Sequence, residues 1–398
     1  MIRFAPFELG PLPRILFGAG CLEKVPEQAA AFGDKALIVT GKRWLRNSSH
    51  WGPLEKELGE RAVRWWQFSV SDEPTPDQID QAVSRHHRDQ IDVVLGIGGG
   101  SVLDAAKAIA GLLRPGNSVL DHLEGVGRGL PYQGPTVPFV AVPTTAGTGS
   151  EATKNAVLSR QGPEGFKKSF RDDRLIAALA VVDPSLLDSC PKALIAANGM
   201  DAFTQLLESY VSLRASPFTD ALASSGMQAF RDGFWQAWSE GDPLAQQGYQ
   251  RIAYASLCSG ITLAQCGLGS VHGLASPLGA FFPIPHGVVC GTLVAAATRT
   301  NIRALRNREP GSPALQKYAE AGILLSGRMF NSESAAQDGL VELLEDWTDR
   351  LELPRLGAFG MRDDDIEQVV ANCRGGSMQT NPLVLEDREL ASLLQQRL

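Results

Sequence analysis

A chain of 398 residues, 44% hydrophobic and 20% charged, can bury a sizeable core without disulfide staples, and that mix excludes a disordered chain. Its formal net charge of −7 disfavours a nucleic-acid partner, whose phosphates call for a basic face. No run approaches about 18 uninterrupted apolar residues, so no membrane span is expected. Met1–Pro6 lacks the apolar core of a signal peptide, and none of the six cysteines forms a C-x-x-C pair. Both features fit a soluble cytoplasmic protein with reduced thiols.

In chain order, the first half alternates strand-like and helix-like segments. Lys35–Thr40 is a short apolar run ending at Gly41, which predicts a buried strand. A helix is expected over Asp77–His87, after the turn-forming Pro74-Thr75-Pro76. Ile91–Gly96 predicts a second strand, running into Gly98-Gly99-Gly100 and a helix from about Ser101. Val137–Val142 predicts a third, followed by the Gly/Thr-rich loop Pro143–Ser150. Ala177–Val182 predicts a fourth, closed by Asp183-Pro184. Strands alternating with helices imply a mostly parallel, covered sheet.

Beyond Pro184 helical patterns dominate: Ala193–Arg214, Pro217–Glu240, Leu244–Gln265, Gln316–Met329 and Ser332–Leu353. The expected division is an α/β domain over 1–185 and an all-helical domain over 186–398. Gly267–Gly287, rich in Gly, Pro and His, interrupts the helices and suggests a site rather than a packing element.

Three groups of residues carry chemistry. Gly96-Ile97-Gly98-Gly99-Gly100-Ser101 lies between a strand and a helix, where backbone N–H groups and the helix dipole suit a pyrophosphate. The spacing differs from G-x-G-x-x-G, and a glycine cluster alone serves equally as a tight turn. Thr144–Glu151 also follows a strand, and its hydroxyls suit a ribose, phosphate or carboxamide, although Ser150 or Thr148 would equally cap a helix. Asp201 and Gln205, four apart on a helical pattern, share a face, and His272 and His286 lie near the ends of the Gly/Pro-rich stretch. Together they offer a carboxylate, an amide oxygen and two imidazoles, a set that zinc or iron(II) accepts. The plain reading is a core histidine and a cap after Asn198-Gly199.

Taken together these motifs resemble the iron-containing, or group III, alcohol dehydrogenase family of the dehydroquinate synthase-like superfamily. Phe17-Gly18-Ala19-Gly20 resembles its opening turn, Gly96–Lys107 its pyrophosphate loop, and Pro143–Glu151 its nicotinamide-side loop. Gly199–Gln205 is similar to its G-x-D-A-x-x-H ligand helix. His272–Gly279 with Pro285-His286-Gly287 resembles its H-x-x-x-H-x-L-G and P-H-G signature.

The resemblance implies a dinucleotide-binding α/β domain, a helical metal and substrate domain, and an active site in the cleft between them. It implies that Gly98, Gly99, Gly100 and Ser101 contact the pyrophosphate, with Asp104 nearby. Thr144, Thr145 and Thr148 would line the cofactor path, and Lys167 would reach a ribose. Asp201, Gln205, His272 and His286 would hold a divalent metal, iron or zinc, with Asp201, His272 and His286 central to catalysis. The implied reaction is hydride exchange between NAD or NADP and a small alcohol or aldehyde, in a homodimer.

Two residues depart from the family pattern. Gln205, whose neutral amide oxygen is a weaker ligand than imidazole, replaces the usual histidine, and Ser276 replaces a histidine beside the substrate. Gln205 supports an alternative, a metal-independent oxo-acid reductase of the maleylacetate reductase type. A lyase of the dehydroquinate synthase type and a catalytically silent nucleotide-binding scaffold are further alternatives. With no carboxylate after Thr40, Gly41 leaves room for a 2′-phosphate that Lys42 or Arg43 would pair, which leans toward NADP. Phe170, Phe203, Phe281 and Phe282 are expected to wall the substrate pocket, and His122 is a distant candidate for proton relay.

Overall fold

Runs of Val, Ile, Leu and Ala bounded by glycine and proline form strands that are buried on both faces, the pattern of a parallel sheet covered by helices. The computed structural model describes residues 6–42, 44–162 and 165–398. Arg43 and the first five residues of the Met1–Pro6 stretch lie outside the described residues. The chain divides into two units, one made of Gly10–Arg160 with Lys167–Cys190, the other built mainly on Pro191–Leu398.

The first unit runs β1 (Arg14–Phe17), α1 (Val25–Ala30), β2 (Lys35–Gly41), α2 (Trp44–Asn47), α3 (Trp51–Glu60), β3 (Arg64–Val70), α4 (Pro76–His86), β4 (Val93–Gly98), α5 (Gly100–Leu112), β5 (Phe139–Pro143), β6 (Asn155–Arg160), β7 (Phe166–Arg171) and β8 (Leu179–Val182). Six strands form one sheet in the order β1-β8-β5-β4-β2-β3, and β6 pairs with β7 separately. Every pairing in the large sheet is parallel. Ile38, Leu95, Ile97, Val140, Val142 and Val181 fill one face of its core. The four expected strands are β2, β4, β5 and β8. β1 and β3 were not expected: both are edge strands, half solvated, and β3 carries the mixed sequence Arg-Trp-Trp-Gln-Phe-Ser-Val.

The register places Gly98 opposite Pro143, so β4 and β5 end side by side. The loops that follow them are therefore neighbours at the carboxyl edge of the sheet. Thr144 N–H donates to the Gly98 carbonyl at 3.0 Å, locking the two together.

The second unit is helical: α6 (Lys192–Val211), α7 (Pro217–Trp238), α8 (Ala245–Cys266), α9 (Ser270–Phe281), α10 (His286–Arg308), α11 (Pro313–Ser326), α12 (Glu333–Arg350), α13 (Ile366–Ala371) and α14 (Asp387–Gln395). Five of these are the expected helices. Ser216 caps α7 by accepting from Thr219 N–H, with Pro217 in the first turn. The expectation that Gly267–Gly287 breaks the helices is corrected: α9 occupies most of it, with Pro277 inside, and α10 begins at His286. The glycines there serve close packing. A Cβ on Gly287 would lie 2.4 Å from the Ala197 carbonyl oxygen of α6.

Two aromatic expectations are also corrected. Phe203 is fully buried against Phe230 and Trp347, with ring centroids 5.0 and 5.1 Å away, so it belongs to the core of α6, α7 and α12. Phe170 is equally buried, between His122 and Tyr132. Only Phe281 and Phe282 keep partial exposure. Among the described residues no single helix is long and apolar enough to cross a membrane.

Candidate metal centre and cofactor loops

Residues spaced at i, i+4 and i+7 lie on one face of a helix. On α6 those positions are Asp201, Gln205 and Glu208, all buried. α9 brings His272 opposite them. α10 contributes His286 in its first turn and Cys290 one turn later, on the same face. Asp201 Oδ1 lies 3.2 Å from His272 Nε2 and 3.7 Å from His286 Nε2. Cys290 Sγ lies 3.5 Å from His272 Nε2 and 3.8 Å from His286 Nε2. One atom from each of the four falls within 4.8 Å of the others, a spacing that suits a shared metal ion.

Hydrogen bonds fix how these groups face one another. Glu208 accepts from His272 Nδ1–H at 2.7 Å and from Val271 N–H at 2.6 Å. With its proton committed to Glu208, neutral His272 turns a bare lone pair on Nε2 toward the Asp201 carboxylate. Two acceptors at 3.2 Å repel unless a proton or a metal cation lies between them. Burial opposes the imidazolium, but Cys290, Asp201 and Glu208 outweigh it and raise His272 well above its usual value. Burial likewise opposes the Asp201 carboxylate, yet His286, His272 and Gln205 hold its pKa down at about 2. The chemistry of the donor set therefore fits a divalent cation, which would take the place of the bridging proton.

The structure brings Asp201, His272 and His286 together, and Gln205, on the same face of α6 as Asp201, turns its amide nitrogen to that carboxylate. Its amide nitrogen donates to Asp201 Oδ1 at 3.1 Å, and its oxygen accepts from the Ser259 hydroxyl at 3.0 Å. The nitrogen must be the atom facing Asp201, because a carboxylate only accepts. Glu208 and Cys290 were missed from sequence. Glu208 was readable as the i+7 partner of Asp201. Cys290 was readable as the i+4 partner of His286 only if a helix had been placed there.

In the α/β unit, Gly99 precedes α5, a helix of 13 residues whose N-terminal N–H groups begin at Gly100. None of Gly96, Gly98, Gly99 and Gly100 has a positive φ, so these glycines provide room rather than unusual backbone. A Cβ on Gly100 would lie 2.6 Å from Thr148 Oγ1, and one on Gly99 3.2 Å from Thr145 Oγ1. Gly98 through Ser101 and Thr144, Thr145 and Thr148 thus occupy two interlocked loops. Gly41 ends β2, a neighbour of β4.

Asp104 is engaged elsewhere, accepting from the Ser150 hydroxyl at 2.5 Å and Val157 N–H at 3.1 Å. Buried Lys107 donates to Ser150 O, Thr153 Oγ1 and Asn155 O at 2.6–2.9 Å, so Asp104 and Lys107 set the loop's shape. Lys167, on β7, is ion-paired with Glu73. His122 has both ring nitrogens engaged, with Leu130 O at 2.9 Å and Asn117 Nδ2 at 2.9 Å, so it is removed as a proton relay.

Comparison with known proteins matches both halves. Residues 13–184 match the family model described as iron-containing alcohol dehydrogenase, and residues 195–398 match its C-terminal model. The chain is 32% identical to the 1-propanol dehydrogenase of Citrobacter freundii over 83% of this chain and 84% of that one. It is 27% identical to the NAD-dependent methanol dehydrogenase of Bacillus methanolicus over 97% and 98%. Among solved structures, a 1,3-propanediol oxidoreductase superposes with a TM-score of 0.89 at 28% identity, covering 99% of this chain and 100% of that one.

Proposed function

Because this chain belongs to the iron-containing alcohol dehydrogenase family and is an alcohol oxidoreductase, we propose that it exchanges a hydride between a nicotinamide dinucleotide and a small alcohol, using a divalent ion held by Asp201, His272 and His286. The observation that carries this reading is the convergence of those three side chains in one cluster, with Asp201 and His272 buried and His286 half-buried. When bound, the ion supplies Lewis-acid polarisation of the alcohol or carbonyl oxygen.

The chain's own groups prepare the site. Glu208 holds Nδ1–H of His272 and leaves Nε2 as the donor. Gln205 orients Asp201. Gly98, Gly99, Gly100 and Ser101 offer N–H groups and the α5 dipole to the pyrophosphate. Thr144, Thr145 and Thr148 line the path beyond. With both ring nitrogens of His122 engaged elsewhere, the proton would leave to solvent.

The cofactor is NAD or NADP. The Bacillus methanolicus relative is named as NAD-dependent, while β2 ends at Gly41 and is followed by Lys42, without a carboxylate, which tolerates a 2′-phosphate. The ratio of kcat/KM with the two cofactors decides. A cytoplasmic homodimer is part of the proposal. The free thiols, five of six buried, suit a reducing compartment, and sedimentation velocity tests the dimer.

The deciding experiment purifies the protein without chelators, measures bound metal, and assays NAD(P)H formation across a panel of small alcohols. Metal-dependent turnover is expected. Full activity in metal-free protein would replace this reading with the oxo-acid reductase.

A further inference from the structure

We propose that Cys290, not Gln205, is the fourth protein ligand of the metal, which gives the centre an Asp-His-His-Cys donor set. This rests on the metal-dependent reading above.

The first argument is distance. Zinc binds thiolate at about 2.3 Å, imidazole at about 2.0–2.1 Å and carboxylate at about 2.0–2.2 Å, so neighbouring donors in a tetrahedron stand about 3.3–3.6 Å apart. Asp201 to His272 spans 3.2 Å and Asp201 to His286 spans 3.7 Å. The two contacts from Cys290 Sγ span 3.5 and 3.8 Å. These four separations match four of the six edges of one tetrahedron, and the other two stay within 4.8 Å.

The second argument is competition for Gln205. Its amide oxygen, the only atom able to bind a cation, lies 3.0 Å from the Ser259 hydroxyl, whose single proton it shares with the Ser256 carbonyl at 2.8 Å. In the hydrogen-bonded arrangement the nitrogen faces Asp201 and the oxygen faces Ser259. Gln205 is thus a positioning residue that steadies Asp201.

The third argument is placement. Cys290 is buried, and one helical turn separates it from His286, so a single helix presents both donors. On binding, the Cys290 S–H bond breaks, an Sγ–metal bond forms, and the proton leaves to water without any change of oxidation state. A sulfur donor shifts preference toward zinc over iron(II).

Cobalt(II) provides the test, because a cobalt–thiolate bond gives a charge-transfer band in the near ultraviolet that oxygen and nitrogen ligands do not. Metal-free wild type, Cys290→Ser, Cys290→Ala and Gln205→Ala are titrated with cobalt(II). Circular dichroism and melting of each metal-free variant establish that it folds. The expected result is the band in wild type and Gln205→Ala, its absence in both Cys290 variants, and cobalt affinity lower by roughly tenfold or more in those two. Stoichiometric cobalt binding by wild type without the band overturns the Cys290 assignment and leaves the metal-dependent reading standing. Failure of folded wild type to bind cobalt or zinc at all overturns both.

Discussion

Glu208 is a buried carboxylate whose two oxygens are both occupied, one by an imidazole N–H and one by a backbone N–H of the same helix turn. Glutamine there can still accept one bond but not both, so His272 loses either its orientation or its basicity. Glu208→Gln is expected to weaken metal affinity by about 10–100-fold, read by competition against a chromophoric chelator. Glu151, in the other unit, is also buried. Burial pushes its pKa up to about 7, against smaller lowering effects from backbone bonding and Lys107. An unfolded chain releases that proton near its ordinary value of about 4.3, so over the interval up to about 7 the native state holds a proton that the unfolded state has lost. Stability from this group is complete at low pH and falls as pH rises through that interval. Glu151→Gln should flatten the decline in melting temperature between pH 5 and pH 8. An unchanged slope in the variant would count against the assignment. At this scale the sequence displayed Asp201, His272 and His286 through motif spacing. Glu208 was legible only as the i+7 partner of Asp201, and the sequence could not show that the Gln205 amide lies between Asp201 and Ser259, a residue 54 positions away.

Elements were legible where one environment surrounds them. β2, β4, β5 and β8 are buried on both faces and read as continuous apolar runs, whereas β1 and β3 at the sheet edges mix charged, aromatic and polar residues that give no period. α9 and the start of α10 were illegible for another reason. Glycine and proline normally end helices, but here Gly273 and Gly287 remain helical because their neighbours crowd them, and packing overrides propensity. That crowding is testable. In Gly287→Ala the added methyl meets the Ala197 backbone and must push the start of α10 away from α6. A loss of about 1–3 kcal/mol of stability is expected. Because His286 is the preceding residue, cobalt affinity should fall with it, whereas a surface Gly→Ala such as Gly311→Ala, with open space at its Cβ, should change neither.

Across the whole molecule, the donors come from α6, α9 and α10, and their hydrogen-bonded supports come from α6 and α8. An ion that binds the native state alone stabilises it by mass action, by about 2.7 kcal/mol at a hundredfold excess over its Kd. Removing it with chelator should lower the melting temperature of the helical unit by roughly 5–10 °C. Far-ultraviolet helicity at 25 °C should stay unchanged, since Phe203, Phe230 and Trp347 pack without reference to the ion. Loss of helix on chelation would show that the bundle depends on the metal.

The Glu208–His272 and Gln205–Asp201 contacts orient the donors before any ion arrives. Loading is then expected to follow folding, so protein made under metal starvation should be folded and should bind cobalt on later addition. Which element fills the site should track the supply during growth, so preparations of one sequence grown on different trace-metal mixtures would differ in content while sharing one backbone.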